Sequence, residues 1–413
     1  MNAVTTADAV RRPAGRTAQL ARVVVRRQDS LLQPDLDEHA DALAERVRGE
    51  RILVVGGAGS IGSATVSELA RLGPRQLHVV DADENGLAEL VRDLRSRDLV
   101  GPGTELRTTP MDAGCPTMQR MITGNAGYDR VLNFAAVKHV RSEKDVYSLL
   151  RMLEINVRLP RRLLEWVDGT TRRYFAVSTD KAANPVNLMG ASKRAMEHAI
   201  LDEQLGPEVT SARFANVAFS QGSLLDGWLR RMDKGQAWAV PRETRRYFVT
   251  LEESGHLCTL AALLGRPGEV VIPDLDPRTQ LRDLVEVAED VLGSMGLRPF
   301  FCEEEDDARR AAVDPKPGTW PVLLTNLDTS GEKEFEEFAG SGDVVADAGF
   351  AALRSLRAPR ARPELIRSVL SELDGWLDDP TSSVDKDDVA DLLRVLVPEL
   401  EHRGSTRGLD ARM

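Results

Sequence analysis

The feature that most constrains the fold of this chain is a glycine-rich turn between a short apolar segment and a helical pattern. Residues 51–55 read Arg-Ile-Leu-Val-Val, a run that predicts a buried parallel strand. It leads directly into Gly-Gly-Ala-Gly-Ser-Ile-Gly, and helical spacing follows to Leu72. In such a turn the first glycine permits a tight bend, the second leaves room for a pyrophosphate, and the third lets helix and strand approach. The residues predicted to bind the pyrophosphate are Gly56, Gly59, Ser60, Ile61 and Gly62.

An acidic residue follows at the position where the ribose of a dinucleotide is recognised. Asp81 ends the second predicted strand, residues 76–80, and lies 19 residues beyond Gly62. A carboxylate there accepts hydrogen bonds from a ribose hydroxyl pair and repels a 2′-phosphate. The turn and the acid together predict a dinucleotide site with NAD favoured over NADP. A purely structural glycine turn is the alternative interpretation.

Strand-like and helix-like segments alternate along the first half of the chain. The predicted strands are 51–55, 76–80, 106–108, 130–134, 174–178 and 209–214. The predicted helices between them are 61–72, 84–97, 142–166 and 188–205. This alternation is typical of an α/β fold, a doubly wound parallel sheet of the Rossmann type, with ligands at the carboxyl ends of the strands.

The remaining segments suggest a division into four parts. Residues 1–48 form an N-terminal arm, frayed to about residue 30, with a lead-in helix at 35–47. Residues 49–220 form the dinucleotide-binding domain, and residues 221–350 a smaller C-terminal lobe for the substrate. Residues 351–413 form a helical extension.

The composition argues against several classes of protein. Acidic residues outnumber basic ones by 65 to 54, giving a net charge of −11, which argues against a nucleic-acid binder that neutralises phosphates. Cys115, Cys258 and Cys302 lie far apart without a C-x-x-C pair, so neither a disulfide framework nor a metal site is predicted. No apolar run approaches the roughly 20 residues of a membrane helix. We therefore expect a cytoplasmic protein without a membrane span.

A second group of polar residues follows the predicted strand at 174–178. Thr179, Asp180 and Lys181 lie at the edge of the sheet where ligands bind. An acid beside an amine can divide the work of donating and removing a proton, which suggests a catalytic role. A surface Asp–Lys pair in a turn is the alternative.

The chain resembles the extended short-chain dehydrogenase/reductases, specifically the nucleotide-sugar 4,6-dehydratases that act on UDP-N-acetylglucosamine. The resemblance covers about residues 50–340. Its upstream motifs are the glycine turn, Ala135-Ala-Val-Lys-His139, Ser178-Thr-Asp-Lys181, Asn184-Pro-Val-Asn187, Met189-x-x-x-Lys193 and Arg213-Phe-Ala-Asn-Val217. Its downstream motifs are Gln221-Gly-Ser223, Arg246-Tyr-Phe-Val-Thr250 and Gly331-Glu-Lys333.

The resemblance implies a redox-neutral dehydration in which NAD stays bound through the cycle. NAD⁺ would take a hydride from carbon 4 of the sugar and return it to carbon 6. Lys181 would remove the proton on carbon 5, and Asp180 would protonate the hydroxyl that departs from carbon 6. Thr179 would hydrogen-bond the oxygen on carbon 4, while Lys193 would hold the nicotinamide ribose. A 4-epimerase or 5,6-dehydratase on the same scaffold, and a non-catalytic NAD-binding protein, remain alternatives.

Further binding residues are expected on both sides of the site. The candidate contacts to a UDP-sugar are Lys138, His139, Asn216, Ser223 and Arg246. Arg246 is the candidate phosphate clamp, because its planar fork suits pairs of oxygens, although a solvated arginine is the alternative. His139 equally fits a packed, hydrogen-bonded histidine. On the cofactor side, Asp112 would touch the adenine or cap the next helix, and Ala135 is a further candidate.

The chain departs from most of this superfamily at one position. Four residues before Lys193, where a tyrosine usually takes the hydroxyl proton, it carries Met189. A thioether has no acidic proton and cannot do that work. Some of the resembled dehydratases also carry methionine there. The change therefore moves the acid–base work to Thr179, Asp180, Lys181 or water, and leaves Met189 as a packing residue.

The two ends of the chain lie outside the resemblance. Membrane-bound relatives carry transmembrane helices before the nucleotide domain, whereas about 50 residues precede it here, so we expect a soluble form. The helices predicted at 365–377 and 389–400 are amphipathic and would bury their apolar stripes against their own domain or a second subunit. We expect a homo-oligomer.

Overall fold

The computed structural model describes residues 14–124, 127–138, 143, 145–201, 205–326 and 333–401. Its strands are β1 (Arg51–Val55), β2 (Gln76–Asp81), β3 (Glu105–Pro110), β4 (Arg130–Asn133), β5 (Arg173–Val177), β6 (Glu208–Ala212), β7 (Asn216–Val217), β8 (Trp238–Pro241), β9 (Arg245–Val249), β10 (Val270–Pro273), β11 (Leu281–Asp283), β12 (Arg298–Cys302), β13 (Thr319–Thr325), β14 (Val344–Asp347) and β15 (Leu353–Arg357). Its helices are α1 (Ala14–Val25), α2 (Gln33–Glu38), α3 (Ala40–Val47), α4 (Ser60–Leu72), α5 (Glu84–Ser96), α6 (Pro116–Gly124), α7 (Val146–Leu153), α8 (Leu159–Trp166), α9 (Leu188–Ile200), α10 (Leu224–Asp233), α11 (Leu251–Leu264), α12 (Leu284–Ser294), α13 (Glu305–Val313), α14 (Pro363–Asp378) and α15 (Lys386–Leu396).

The central sheet has the doubly wound order that the alternation predicted. Within the described residues its strands run β14-β15-β10-β6-β5-β4-β1-β2-β3. All neighbours from β10 to β3 pair in parallel, and only the contacts of β15 with β10 and β14 are antiparallel. The chain winds outward in both directions from β1 and β4, so the switch point of the topology lies between these two strands. The predicted fold class is therefore confirmed.

The apolar strands are buried because helices cover both faces of the sheet. In β1, Ile52 and Val54 belong to one core cluster and Leu53 and Val55 to the other, as the period of two in a strand requires. The first cluster takes its helical partners from α3, α4, α5 and α11. The second takes them from α6, α8 and α9. The continuous apolar run of β1 is the sequence signature of this double burial.

Residues 14–25, expected to be part of a frayed arm, form the helix α1 instead. Leu20 and Val24 are buried against Val287 and Val291 of α12. A few apolar residues of this polar, arginine-rich segment therefore hold it against α12. The lead-in helix predicted at 35–47 is interrupted at His39, whose ring packs edge-on against Phe350.

The helix predicted at 142–166 also differs from the expectation in its centre. Residues Glu154–Arg158 form a π-helical turn between α7 and α8. This turn carries the buried Asn156, which accepts a hydrogen bond from the Val137 amide and donates one to the Val137 carbonyl. The irregular turn thus fastens the segment that follows β4 at the carboxyl edge of the sheet, as such bulges often do near sites.

The second half of the chain adds small sheets and also extends the large one. Two three-stranded sheets, β11-β9-β7 and β12-β13-β8, lie within residues 216–325. Residues 270–273 and 344–347, both inside the segment predicted as the smaller lobe, extend the central sheet as β10 and β14. No described helix is long and apolar enough to span a bilayer.

The two C-terminal helices, α14 and α15, pack against the chain's own domain. Apolar residues of α14 and α15, including Ile366, Leu373 and Leu393, are buried in one cluster with Leu149 of α7 and Met189 of α9. Arg158 also pairs with Asp374 and Asp378 of α14. The described part of the extension therefore buries its apolar stripe against its own domain.

Candidate functional site

The glycine turn has a crowded side and an open side. Gly56 adopts φ +75°, and a Cβ there would lie 2.5 Å from the amide nitrogen of Ala135. A Cβ on Gly62 would lie 2.3 Å from the carbonyl oxygen of Gly56. By contrast, a Cβ on Gly59 would meet only the Gly56 carbonyl oxygen, at 3.6 Å. Gly56 and Gly62 are thus needed by the turn itself, whereas Gly59 leaves space on the side of the turn that faces the cleft.

Asp81 lies beside this turn, as predicted. Its two carboxylate oxygens accept hydrogen bonds from the amides of Ala58, at 2.9 Å, and Asp83, at 3.0 Å. The turn and Asp81 border a cleft of about 350 Å³ at the carboxyl edge of the sheet. The predicted cofactor residues that line this cleft are Gly56, Gly59, Asp81, Asp112 and Ala135. Ser60 instead accepts a hydrogen bond from the amide of Gln221, at 3.0 Å, and Ile61 packs against the core.

Asp112 makes two contacts at the far end of the cleft. One carboxylate oxygen accepts the Gly114 amide at 2.8 Å, and the other accepts Nη2 of Arg151 at 2.8 Å. Burial works to raise the pKa of Asp112, but the Gly114 amide and the Arg151 guanidinium outweigh it and lower that pKa. Arg151 itself lines the cleft. No sequence pattern singled out Arg151, because it is one arginine among many on a predicted helix.

Thr179, Asp180 and Lys181 come together immediately after β5. The Thr179 hydroxyl donates to Oδ1 of Asp180 at 2.8 Å, and Nζ of Lys181 donates to the same oxygen at 3.1 Å. The Asp180 side chain is 2% exposed and the Lys181 side chain 23% exposed. Oδ2 of Asp180 is buried and accepts no hydrogen bond from the described residues. Lys181 is therefore the more accessible member of the pair.

A third charged side chain, Glu336, completes this cluster. Its Oε1 lies 3.9 Å from Nζ of Lys181, and its Oε2 lies 3.9 Å from Nζ of Lys333. Lys333 also donates to the carbonyl oxygen of Ala183 at 3.1 Å. Glu336 was missed at the level of sequence, since no local pattern separates it from its neighbours. The nearest signal is Lys333, the last residue of a motif in the resemblance.

The charged side chains of the cluster shift one another's pKa values. Burial works to lower the pKa of Lys181, but the carboxylates of Asp180 and Glu336 outweigh it and raise that pKa above its usual value. Burial raises the pKa of Glu336, and the Lys181 ammonium opposes this change. Lys181 therefore holds its proton at neutral pH in this arrangement. It has to lose that proton before it can act as a base.

Lys193 is buried behind the end of β5. Its Nζ donates to the Val177 carbonyl oxygen at 3.0 Å. Burial lowers the pKa of Lys193 to about 8, and Glu197 partly offsets this effect. Glu197 also accepts a hydrogen bond from the Ser178 hydroxyl at 2.6 Å and pairs with the fully buried Arg213 at 2.6 Å. Although burial disfavours its charge, Arg213 outweighs that cost and lowers the pKa of Glu197 to about 2.

Three of the predicted substrate residues make hydrogen bonds to other parts of the chain. Lys138 is exposed and donates to the Gln221 carbonyl oxygen at 2.8 Å, while Asn216 donates to the Tyr247 carbonyl oxygen at 3.4 Å. Ser223 accepts the Asp226 amide and caps α10. His139 lies outside the described residues.

Arg246 hydrogen-bonds to the backbone of a neighbouring segment. Its Nη1 donates to the carbonyl oxygens of Arg245, Lys333 and Glu334, at 2.8, 2.9 and 3.1 Å. These contacts hold the segment that carries Glu336. The positive charge of Arg246 also lies close enough to Lys181 and Glu336 to work toward lowering the pKa of each.

Met189 lies at the start of α9, directly beside the Thr179–Lys181 turn. It is 3% exposed, and its amide donates to Glu143 at 2.9 Å. A Cβ on the next residue, Gly190, would lie 2.3 Å from the Lys181 carbonyl oxygen, so the helix and the turn are in tight contact. Burial raises the pKa of Glu143 to about 7, although the Met189 and Leu188 amides oppose it. No sequence pattern pointed to Glu143.

Comparison with known proteins gives relatives for most of this region. Residues 52–319 match the family described as polysaccharide biosynthesis protein. The chain is 29% identical over 279 residues to the uncharacterized membrane protein MJ1061 of Methanocaldococcus jannaschii, across 66% of this chain and 78% of that one. It is 25% identical over 331 residues to the probable polysaccharide biosynthesis protein EpsC of Bacillus subtilis, across 74% of this chain and 54% of EpsC. The chain thus spans about half the length of that relative.

A relative with a stated activity matches a shorter stretch. The chain is 25% identical over 241 residues to the UDP-N-acetylglucosamine 4,6-dehydratase (inverting) of Campylobacter jejuni, across 55% of this chain and 67% of that enzyme. Among solved structures, it resembles Pen from Bacillus thuringiensis with a TM-score of 0.60, at 19% identity, over 76% of this chain and 89% of Pen. It also resembles WbmF of Bordetella bronchiseptica in complex with NADH, with a TM-score of 0.51 at 17% identity, over 86% and 96% of the two chains. At these identities the two structures show a shared fold.

Proposed function

The chain belongs to the polysaccharide biosynthesis protein family, and from this premise we propose that it is an NAD-dependent nucleotide-sugar 4,6-dehydratase. The proposed substrate is UDP-N-acetylglucosamine and the product a UDP-4-keto-6-deoxy-hexosamine. The observation that carries the proposal is the Thr179–Asp180–Lys181 cluster at the same edge of the sheet as the glycine turn. The likeness to the Campylobacter dehydratase supports the choice of reaction.

The cleft beside the glycine turn fits a dinucleotide. The open side of Gly59 receives the pyrophosphate, and Asp81 binds the adenosine ribose, which favours NAD over NADP. Asp112 and Ala135 line the rest of the cleft, and Lys193 is assigned to the nicotinamide ribose. When bound, NAD supplies the group that accepts a hydride from the sugar and returns it.

The chain's own side chains orient the sugar and move its protons. Thr179 hydrogen-bonds the oxygen on carbon 4, and Lys181 removes the proton on carbon 5 once its amine is neutral. Asp180 donates a proton to the hydroxyl that leaves carbon 6, so that it departs as water. Because Asp180 is buried and Lys181 only partly exposed, the sugar meets these groups with little competing water.

The UDP part of the substrate is assigned to five polar residues predicted from the sequence. Lys138 and Arg246 supply positive charge for the phosphates, and His139, Asn216 and Ser223 supply hydrogen bonds. A homo-oligomer in the cytoplasm is part of the same proposal.

A 4-epimerase is the second candidate. The chain is 23% identical over 261 residues to the UDP-glucose 4-epimerase of Rickettsia prowazekii. In this reaction the hydride would return to carbon 4 and the C6 hydroxyl would stay. The buried Met189 does not separate the two candidates, because both begin with oxidation at carbon 4 and neither finds a phenol there to take the hydroxyl proton.

One experiment separates the candidates. Purified protein is incubated with UDP-N-acetylglucosamine in deuterium oxide, and the products are followed by NMR. A 4-keto-6-deoxy sugar with deuterium at carbon 5 supports the dehydratase, since Lys181 then delivers a solvent-derived deuteron. An epimerised product supports the second candidate. Absence of turnover of any UDP- or dTDP-hexose while NAD is bound would leave a non-catalytic NAD-binding protein.

A further inference from the structure

Two buried carboxylates approach the one ammonium group of Lys181 in the candidate active site. Oδ1 of Asp180 lies 3.1 Å from Nζ of Lys181, within hydrogen-bond distance, and Oε1 of Glu336 lies 3.9 Å away. The side chains of Asp180 and Glu336 are 2% and 4% exposed. Oε2 of Glu336 is buried and accepts no hydrogen bond from the described residues. The proposed base thus rests as an ammonium between two acids.

The two acids differ in their hydrogen bonds. The Asp180 oxygen that faces Lys181 already accepts hydrogen bonds from two donors, the Thr179 hydroxyl and the Lys181 ammonium. The Glu336 oxygen that faces Lys181 lies beyond hydrogen-bond distance. Burial raises the pKa of Glu336, so its carboxylate accepts a proton more readily than an ordinary glutamate does. Glu336 is therefore the better acceptor for the resting proton of Lys181.

The segment around Glu336 is fastened to the site at two points. Arg246 donates to the carbonyl oxygens of Lys333 and Glu334, and Lys333 donates to the carbonyl oxygen of Ala183. Ala183 lies two residues after Lys181 on the same turn. The position of Glu336 relative to Lys181 is thus fixed from both sides of the contact.

We propose that Glu336 is a positioning residue that accepts the ammonium proton of Lys181 and so frees the amine to remove the substrate proton. In this step an N–H bond of Lys181 breaks and an O–H bond on Glu336 forms, so an ion pair becomes a neutral amine and a neutral acid. Exclusion of water by the bound sugar favours the neutral pair. This inference rests on the proposed dehydration.

The protons balance over the elimination of water. The neutral amine takes the proton from carbon 5, and the electron pair of that C–H bond stays on the sugar. Lys181 then passes a proton to Asp180, which gives it to the departing hydroxyl. Glu336 finally returns its proton to Lys181. The cluster gains one proton from carbon 5 and gives one to the departing water, so it ends the elimination in the resting state. Oxidation of the C4 hydroxyl releases a proton to water, and Lys181 returns one from water to carbon 5 when the hydride adds to carbon 6, so the whole turnover is balanced.

The first test needs no substrate. Full-length protein is acetylated under competitive conditions across a pH series, and mass spectrometry measures the modification of Lys181. In Glu336→Gln the loss of a negative charge lowers the pKa of Lys181, and about a tenfold rise in labelling at pH 8 corresponds to one pKa unit. Glu334→Gln is the matched control, because its side chain is exposed and only its backbone carbonyl contacts Arg246. Equal labelling of Lys181 in Glu336→Gln and the native protein would overturn the inference.

The second test follows turnover of UDP-N-acetylglucosamine. Glu336→Gln should lower kcat about 100-fold or more with KM nearly unchanged, the size typical of lost general-base function, whereas Glu334→Gln should not. A purely electrostatic role predicts the opposite, because more neutral Lys181 would raise the rate at neutral pH. Glu336→Asp keeps a carboxylate and should recover part of the loss. If Glu336→Gln fails to fold, as judged by circular dichroism, the kcat of Glu336→Asp is compared with that of the native protein instead.

The outcomes separate this inference from the proposed function. If the native protein does not turn over the sugar nucleotide, the proposed function fails, and the labelling of Lys181 alone decides whether Glu336 is coupled to it. If the native protein is active and Glu336→Gln retains its kcat, the dehydratase stands and the role of Glu336 is refuted.

Discussion

The cofactor cleft and the reacting cluster are built in different ways at the same edge of the sheet. The cleft is shaped by backbone, since the glycine turn and Asp81 belong to neighbouring segments and Asp81 accepts two main-chain amides. The cluster is shaped by side chains, since Lys181 meets Glu336 across more than 150 residues of sequence. The first region should therefore be sensitive to an added Cβ. The second should be sensitive to a lost charge.

Loss of the Lys181 ammonium should have the largest effect. We expect Lys181→Ala to lower turnover of UDP-N-acetylglucosamine by about 10²–10⁴-fold, because the base is removed, and to leave NAD affinity unchanged. Steady-state kinetics and NAD titration measure the two quantities. The matched control is Lys316→Ala, which removes an exposed lysine just before β13. Joint loss of NAD binding and turnover would show that the two regions are not separable.

Removal of the Arg213 charge should affect the framework behind the cluster. Arg213 is fully buried and pairs with Glu197 and Asp343, so Arg213→Met removes one of the two arginines that neutralise these buried carboxylates and leaves Arg194 alone with both. We expect a loss of about 3–5 kcal/mol in the free energy of unfolding. Arg92→Met, which breaks an exposed pair with Glu89, should cost about 1 kcal/mol or less. Urea denaturation of the two variants measures the difference, and equal losses would contradict the assigned role of the buried pair.

The same buried network should make the free energy of unfolding depend on pH. The pKa of Glu197 is about 2 in the folded chain, below the 4.5 of an unperturbed glutamate. Its contribution to stability is therefore complete above pH 4.5 and is lost as the pH falls toward 2. We expect the stability difference between the native protein and Glu197→Gln to shrink by about 3 kcal/mol over that interval. A constant difference from pH 5 to pH 2, measured by denaturant titration, would refute this.

The glycine turn should respond to two alanine substitutions in different ways. Gly59→Ala adds a Cβ on the open side and should reduce NAD affinity while the melting temperature stays the same. Gly62→Ala places a Cβ against the Gly56 carbonyl oxygen and should also cost about 1–3 kcal/mol of stability. Calorimetric titration and thermal melts distinguish them. Equal melting temperatures for both variants would mean that the turn relaxes around the new methyl group.

The parts that could be predicted from sequence are those that depend on neighbouring residues. The β1 strand, the glycine turn and Asp81 follow from one local pattern, and the doubly wound sheet follows from its repetition. The order of Thr179, Asp180 and Lys181 after β5 placed them at the correct edge for the same reason. Their roles, like those of the substrate residues, remain predictions.

The parts that were missed depend on contacts between distant segments. The helix α1 is ordered because Leu20 and Val24 dock against α12, which nothing in an arginine-rich segment reveals. Glu336 and Arg151 look like ordinary surface charges until the fold brings them to the site. The π-helical turn at Asn156 is likewise set by its bonds to Val137.

The most direct test of the account is a crystal structure of the protein with NAD and UDP-N-acetylglucosamine bound. We expect the pyrophosphate of NAD against Gly59, and carbons 4 to 6 of the hexose between the nicotinamide and the side chains of Thr179, Asp180 and Lys181. Those three side chains turned away from the nicotinamide, or a hexose bound elsewhere, would contradict it.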